Sequence, residues 1–148
     1  MIKKAQRAMQ ACAAELVQAG TLSHAMDIAA KYIQNTTEAS RTACYLLDQD
    51  QIFFIPVYSA GYDHPLPPIP IEHLVVAPLL DYRHALDMEH EWLNCNAAFP
   101  LTMNQAVHGF WLIGGTNRHT LSQLDEIAKT VSLPLIKARA YESITGHG

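Results

Sequence analysis

Eight histidines in 148 residues, several of them close to carboxylates, are the first residues in this chain that could do chemistry. His84, Asp87, Glu89, His90 and Glu91 offer imidazole and carboxylate donors of the kind that suit zinc or nickel. His84 and His90 are six positions apart, however, and two ligands share a helix face only at a spacing of three or four. The stretch from Asp87 to Asn96 is therefore expected to be a solvated acidic loop, with no metal bound. His108 stands beside Gly109 in an apolar run. A haem would need such an imidazole aimed inward, but a hydrogen-bonded sheet histidine is the simpler reading. Cys95, between Asn94 and Asn96, is the only cysteine in a polar setting and the one candidate for a reactive thiol. Nothing near it in sequence would lower its pKa. Cys12, Cys44 and Cys95 are 32 and 51 residues apart with no C-x-x-C, which argues against a disulfide framework and a thiolate zinc site. Tyr45, Tyr58 and Tyr62 could each supply the hydroxyl that orients a small ligand in an apolar cleft. No Gly-x-Gly-x-x-Gly, Walker loop, His-Glu-x-x-His or Gly-x-Ser-x-Gly occurs. Catalysis is not expected.

The elements that must position these residues follow from periodicity. Ile2, Ala5, Met9, Cys12, Leu16 and Ala19 recur at three-four spacing and make one helix face over residues 1–19. The stripe is too short for a long coiled coil but suits packing on another helix. Gly20 ends it, and Thr21 or Ser23 starts a second helix to about Gln34, closed by Asn35, Thr36 and Thr37. From Arg41 the period becomes two: Thr42–Leu47 and Ile52–Tyr58 read as a hairpin around Asp48–Gln51, edge-placed or bulged at Pro56. Gly61–Pro70 holds four prolines and reads as a stiff loop across the face of a sheet. A short helix follows within Ile71–Arg83, limited by Pro78. A second hairpin runs through Ala98–Leu101, a turn at Met103–Ala106, and Val107–Ile113, where Gly109 signals close approach of another backbone or a ligand. Gly114, Gly115 and Asn117 break it. Thr120-Leu121-Ser122-Gln123 is a capping box opening a last helix to about Ser143, kinked at Pro134.

Composition agrees with one domain. Half the chain is apolar (49%) and 16% charged, enough for a core and too hydrophobic for disorder. Fourteen acidic against ten basic residues give a net charge of −4, which disfavours direct nucleic-acid binding. No apolar stretch reaches the length of a membrane span, and no signal-peptide core follows the first residues. A cytoplasmic protein is expected. The strands fall in hairpins, which implies an antiparallel sheet with helices to one side, an α+β domain.

Thr21–Ala29, the strand Thr42–Asp48 ending in Leu-Leu-Asp, the late hairpin Phe99-Pro100-Leu101 then His108–Ile113, and the helical segments Leu121–Ile127 and Ile136–Glu142 together resemble the GAF domain. The resemblance covers about Gly20 to Tyr141. The PAS fold is the nearest alternative but lacks the helix pair before the sheet. The resemblance implies an antiparallel sheet of five or six strands, a ligand pocket on one face, and N- and C-terminal helices packed on the other. The whole of 1–148 is then a single domain: 1–19 an N-terminal helix, 20–143 the core and last helix, 144–148 a tail or start of a linker.

The resemblance further implies a non-catalytic sensory module that binds a small molecule, of unknown identity, and relays signal through a homodimer of terminal helices. It is compatible with an input domain of a larger signalling protein. His64 and His73 would line the pocket mouth, with Tyr45, Tyr58, Tyr62, Phe99, His108 and Phe110 as further ligand candidates. Strand alternation divides the aromatic residues between the helix side and the pocket side, with the assignment open. Met9, Leu16, Leu124 and Val131 are the candidate dimer contacts. The alternatives are a dimerisation module with no ligand and a thiol-based methionine sulfoxide reductase using Cys95. The latter lacks the expected Gly-Val-Cys-Gly context, just as no Asn-Lys-Phe-Asp-like run or Cys-His pair points to cyclic nucleotides or bilins.

Overall fold

A computed structural model describes residues 4–116 and 119–145; Ile2, Asn117 and the tail beyond residue 145 lie outside them. Helix α1 (Lys4–Gln18) stops short of Gly20 and buries Cys12 and Leu16. Thr21 opens α2 (Leu22–Thr37), its hydroxyl accepting the His24 N–H at 3.1 Å and so satisfying one of the first-turn donors. This helix runs a turn-fraction past Gln34. Thr37 is buried and bonds back to the Ile33 carbonyl at 2.7 Å, so packing overrides the weak helix propensity of Asn-Thr-Thr.

The strands are β1 (Arg41–Leu47), β2 (Phe53–Ala60), β3 (Ile69–Pro70), β4 (Leu86–His90), β5 (Cys95–Met103) and β6 (Ala106–Gly114). They form one antiparallel six-stranded sheet in the order β3-β2-β1-β6-β5-β4. Cys44 pairs with Tyr58 and Tyr45 with Pro56, so Val57 is the extra residue of a bulge beside the proline. Asn104 and Gln105, both at positive φ, make the tight β5–β6 turn. Gly109 admits the backbone of β1, because a Cβ there would strike the Tyr45 carbonyl and the Leu46 side chain.

Alternation gives the sheet two apolar faces. Cys44, Leu46, Ala97, Phe99, Leu101, Trp111 and Ile113 point to a layer of α1, α2 and α4 (Leu121–Thr145). Ala43, Tyr45, Phe54, Ala98, Phe110 and Leu112 point to the opposite side, covered by the strap 61–76 and the helix α3 (Ala77–Tyr82) through Leu66, Ile69, Val76 and Leu79. Each fully buried large side chain contributes about 1.5–3 kcal/mol. Pro78 lies in the first turn of α3, where its missing N–H costs nothing; it starts the helix rather than limiting it. The segment expected to be a solvated acidic loop is instead strand β4 and the turn to β5. Its side chains alternate half-buried and exposed along Leu-Asp-Met-Glu-His, although its pairing with β5 is bulged between Asp87 and His90.

Helix α4 is capped by Thr120, which accepts the Gln123 N–H at 3.1 Å, and it continues through Pro134. Asp125 accepts the Ala85 N–H at 2.7 Å and Ser132 the Thr102 N–H at 3.3 Å, tying α4 to the strand layer. Near its far end Glu142 accepts the Leu22 N–H at 3.0 Å, so the last helix caps the second. Among the described residues no helix is long and apolar enough to cross a membrane.

Candidate functional site

The strap face is where a ligand was expected, and its interior is filled. Tyr45 and Phe110 stack at 4.9 Å, and Phe54 meets Phe110 edge-on at 5.1 Å. The Tyr45 hydroxyl donates to the Pro67 carbonyl at 2.9 Å and the Tyr62 hydroxyl to the Leu93 carbonyl at 2.7 Å. Two of the three candidate tyrosines thus latch the strap rather than offer a free hydroxyl. Burial pushes Tyr45 up, and Tyr62, half-buried and close to Cys95, is pushed up to about 12.

Tyr58 and Phe99 lie on the helix side, packed on Trp111 at 5.9 Å and 6.4 Å. The strand period sends neighbours to opposite faces, so these two are separated by the sheet from Tyr45 and Phe110. His108 falls at the bulge in β6, between the paired Val107 and Gly109. His64 is exposed and bonded to Asp63 at 2.8 Å, a contact that raises its pKa and lowers that of the carboxylate.

An opening lies at one end of the strap face. A cleft of about 570 Å³ runs between residues 73–78 and β4, walled by Leu74, Val75, Pro78, Leu86 and Met88. His73 and His90 face each other across it with ring centroids 6.4 Å apart. His73 Nδ1 accepts the Val75 N–H at 3.1 Å, which leaves Nε2 as its second polar atom. His90 Nδ1 is buried without a hydrogen-bond partner, and Trp92 packs edge-on against the ring at 5.2 Å. Asp87 and Glu89 also edge the cleft, and an unsatisfied nitrogen between its apolar walls is a place for a ligand's polar atom. Reading Asp87–Asn96 as a loop hid His90's partner; the alternation of Leu86, Met88 and His90 carried the signal.

The acidic cluster does not converge. His84 bonds to the Ala85 carbonyl at 2.9 Å, Asp87 to His119 Nε2 at 3.2 Å, and His90 turns to the cleft. Among the described residues no three His, Cys, Asp or Glu side chains could hold a metal ion. Cys95 is not in a polar setting. It is 5% exposed, its thiol donates to the Met88 carbonyl at 3.3 Å, and burial pushes its pKa up to about 11. At neutral pH it is a protonated thiol and a poor nucleophile.

Of the candidate dimer contacts, Leu16, Leu124 and Val131 are buried in this chain's own helix-side core, and Met9 is half-buried. The helical stripe they form packs on helices of the same chain. Val17, Leu133 and Tyr141 are exposed on the helix layer, around a groove of about 570 Å³ that Ala19, Pro134 and Ala138 also line.

No protein-family model matches the sequence, and no curated protein does either. Solved structures match the whole fold. The chain is similar to the GAF domain of an Acinetobacter phosphoenolpyruvate-protein phosphotransferase, at 14% identity and TM-score 0.78 over 100% of both chains. It is similar to the GAF domain of a phosphoenolpyruvate-protein phosphotransferase from Coxiella burnetii, at 10% identity and TM-score 0.76, covering 97% of this chain and 99% of that one. It is also similar to the free methionine-R-sulfoxide reductase of Neisseria meningitidis, at 12% identity and TM-score 0.69 over 95% of each chain. The fold is the GAF fold, an α+β domain with a six-stranded antiparallel sheet.

Proposed function

We propose that residues 1–148 act as one non-catalytic, regulatory GAF-fold domain in the cytoplasm, whose small-molecule ligand binds in the His73–His90 cleft. The observation that carries this reading is the unpaired, buried Nδ1 of His90 in a cleft walled by Leu74, Val75, Leu86 and Met88 and edged by His73, Asp87 and Glu89. The cleft ends on the strap and β4 together, so a ligand there can bias the strap's position only by its differential affinity for the two arrangements. The fold neighbours among phosphotransferase GAF domains support a regulatory role. Reductase chemistry is disfavoured, since Cys95 is buried and protonated.

The domain acts as a homodimer through its helix layer, with Val17, Leu133 and Tyr141 as the contact in place of Leu16, Leu124 and Val131. It touches neither nucleic acid nor membrane directly. The filled interior of the strap face favours a second reading, an interaction module with no ligand. Native mass spectrometry of the purified protein separates the two. An adduct lost on denaturation, and absent from His90→Ala, supports the ligand reading. Unaltered mass, with no shift of the His73 or His90 resonances across a metabolite panel, refutes it. Val17→Asp with Leu133→Asp should yield monomers by light scattering; an unchanged dimer mass refutes that interface.

A further inference from the structure

Strand β4 closes one side of the sheet, and among the described residues its outer edge pairs with no other strand. Such an edge offers unpaired backbone N–H and C=O groups to any extended chain. The two flanks of this edge differ. On the strap side lie Met88 and His90, with Leu74 85% exposed beside them. On the other, Asp87 and Glu89, which also edge the strap-side cleft, border a polar cleft of about 520 Å³ with Met88, Asn96, Thr116 and His119. The Asp87 side chain is 75% exposed, and Glu89 and Glu91 have no ion-pair partner among the described residues. His119 lines that cleft with a side chain only 9% exposed and a buried Nδ1 that has no hydrogen-bond partner. The exposed Trp92 adds an apolar surface next to the strand.

We propose that the outer edge of β4 docks an extended, basic segment of another protein as a seventh strand. Every second side chain of that segment lies over the polar flank, where lysine or arginine meets Asp87 and Glu89. The intervening side chains lie over Leu74, Met88 and His90. Backbone bonds supply affinity and the two flanks supply sequence preference, the logic of strand addition. The acidic flank also excludes a second copy of this chain, because an edge-to-edge pair would set Asp87 and Glu89 against their own kind. The reading does not rest on a small ligand; because Leu74, Met88 and His90 line both, a molecule filling the His73–His90 cleft should compete with the docked segment.

The test uses the full chain and a peptide of about ten residues alternating lysine and valine, followed by calorimetry and by amide shifts across Leu86–His90. Controls are the glutamate–valine peptide and a lysine–valine peptide N-methylated at every backbone amide, which keeps charge but has no N–H to donate along either edge. The lysine–valine peptide should bind, shift the β4 amides and weaken at least about tenfold in Asp87→Lys/Glu89→Lys. Its affinity should fall as salt shortens the screening length. Both substitutions are at exposed positions, and the N-methylated peptide tests the wild-type protein should the variant not fold. The proposal is overturned if the lysine–valine peptide does not bind at millimolar concentration, or if either control binds as tightly. Shifts confined to another surface overturn it equally.

Discussion

Replacing Tyr45 or Tyr62 by phenylalanine removes one hydroxyl and leaves the ring packing in place. The Tyr45 hydroxyl holds the strap to β1 through Pro67, and the Tyr62 hydroxyl holds it to the β4–β5 turn through Leu93. A hydrogen bond of this kind contributes about 1 kcal/mol net, and about 1–3 kcal/mol is lost when its partner stays buried and unsatisfied. Pro67 is half-buried and water can replace the lost donor, so Tyr45→Phe should cost about 1 kcal/mol. Leu93 is 1% exposed, so Tyr62→Phe should cost about 2 kcal/mol. At about 2–4 °C per kcal/mol for a chain of this size, calorimetry should show drops of about 3 °C and about 6 °C. Burial of the Tyr62 hydroxyl, with Cys95 close by, sets an alkaline limit. The native hydroxyl of Tyr62 titrates near 12, above the ordinary value of 10, so between those values the unfolded chain releases a proton that the folded one keeps. The stability it contributes is complete below pH 10 and drains away as pH rises toward 12; Tyr62→Phe should flatten that decline. If both variants melt as wild type does, with unchanged hydrogen exchange over 61–76, then apolar contacts alone hold the strap and the latch reasoning is wrong.

Three further outcomes are expected. Cys95, pushed up to about 11 and 5% exposed, should resist iodoacetamide at pH 8 until the protein is unfolded; stoichiometric labelling of native protein within minutes would contradict its burial. Gly109→Ala should lower stability by about 1–3 kcal/mol in urea titrations, since its Cβ must displace β1; an unchanged midpoint would mean that the β1–β6 spacing is softer than described. Thr120→Ala should cost about 1 kcal/mol through the lost cap. Gln123→Ala should cost little, because Gln123 Oε1 makes no return bond to complete the capping box; equal losses would show a reciprocal box in solution.

Helix caps, hairpin turns and the proline strap were readable because each rests on local chemistry: Thr21, Thr120 and the Asp48–Gln51 loop act within a few residues of themselves. Strand β4 escaped because its exposed alternate positions, Asp87 and Glu89, raised its polarity to that of a loop. Three of the dimer candidates, Leu16, Leu124 and Val131, lie in the core for a different reason. A stripe such as Leu124–Val131 states that a helix buries one face but not whose surface covers it, and here the cover is α2, β5 and the rest of the same chain. Assigning Tyr58 and Tyr45 to faces required the strand register, and the bulge at Val57 shifts the phase between them. The cleft itself joins His73 to His90 across 17 residues, a meeting that no spacing rule anticipates.

The bond from Glu142 to the first turn of α2 spans 120 residues. On a ribosome, which delivers the chain from its N-terminus, α2 emerges 120 residues ahead of its capping carboxylate. The same delay applies to the helix-side face of the sheet, whose Phe99 and Trp111 are covered by α4 only after the final turns have left the exit tunnel. Until then the nascent sheet carries an uncovered apolar surface, and chaperone demand should peak between the emergence of β6 and that of α4. Ribosome pausing upstream of α4 would therefore harm yield more than an equal pause at the strap.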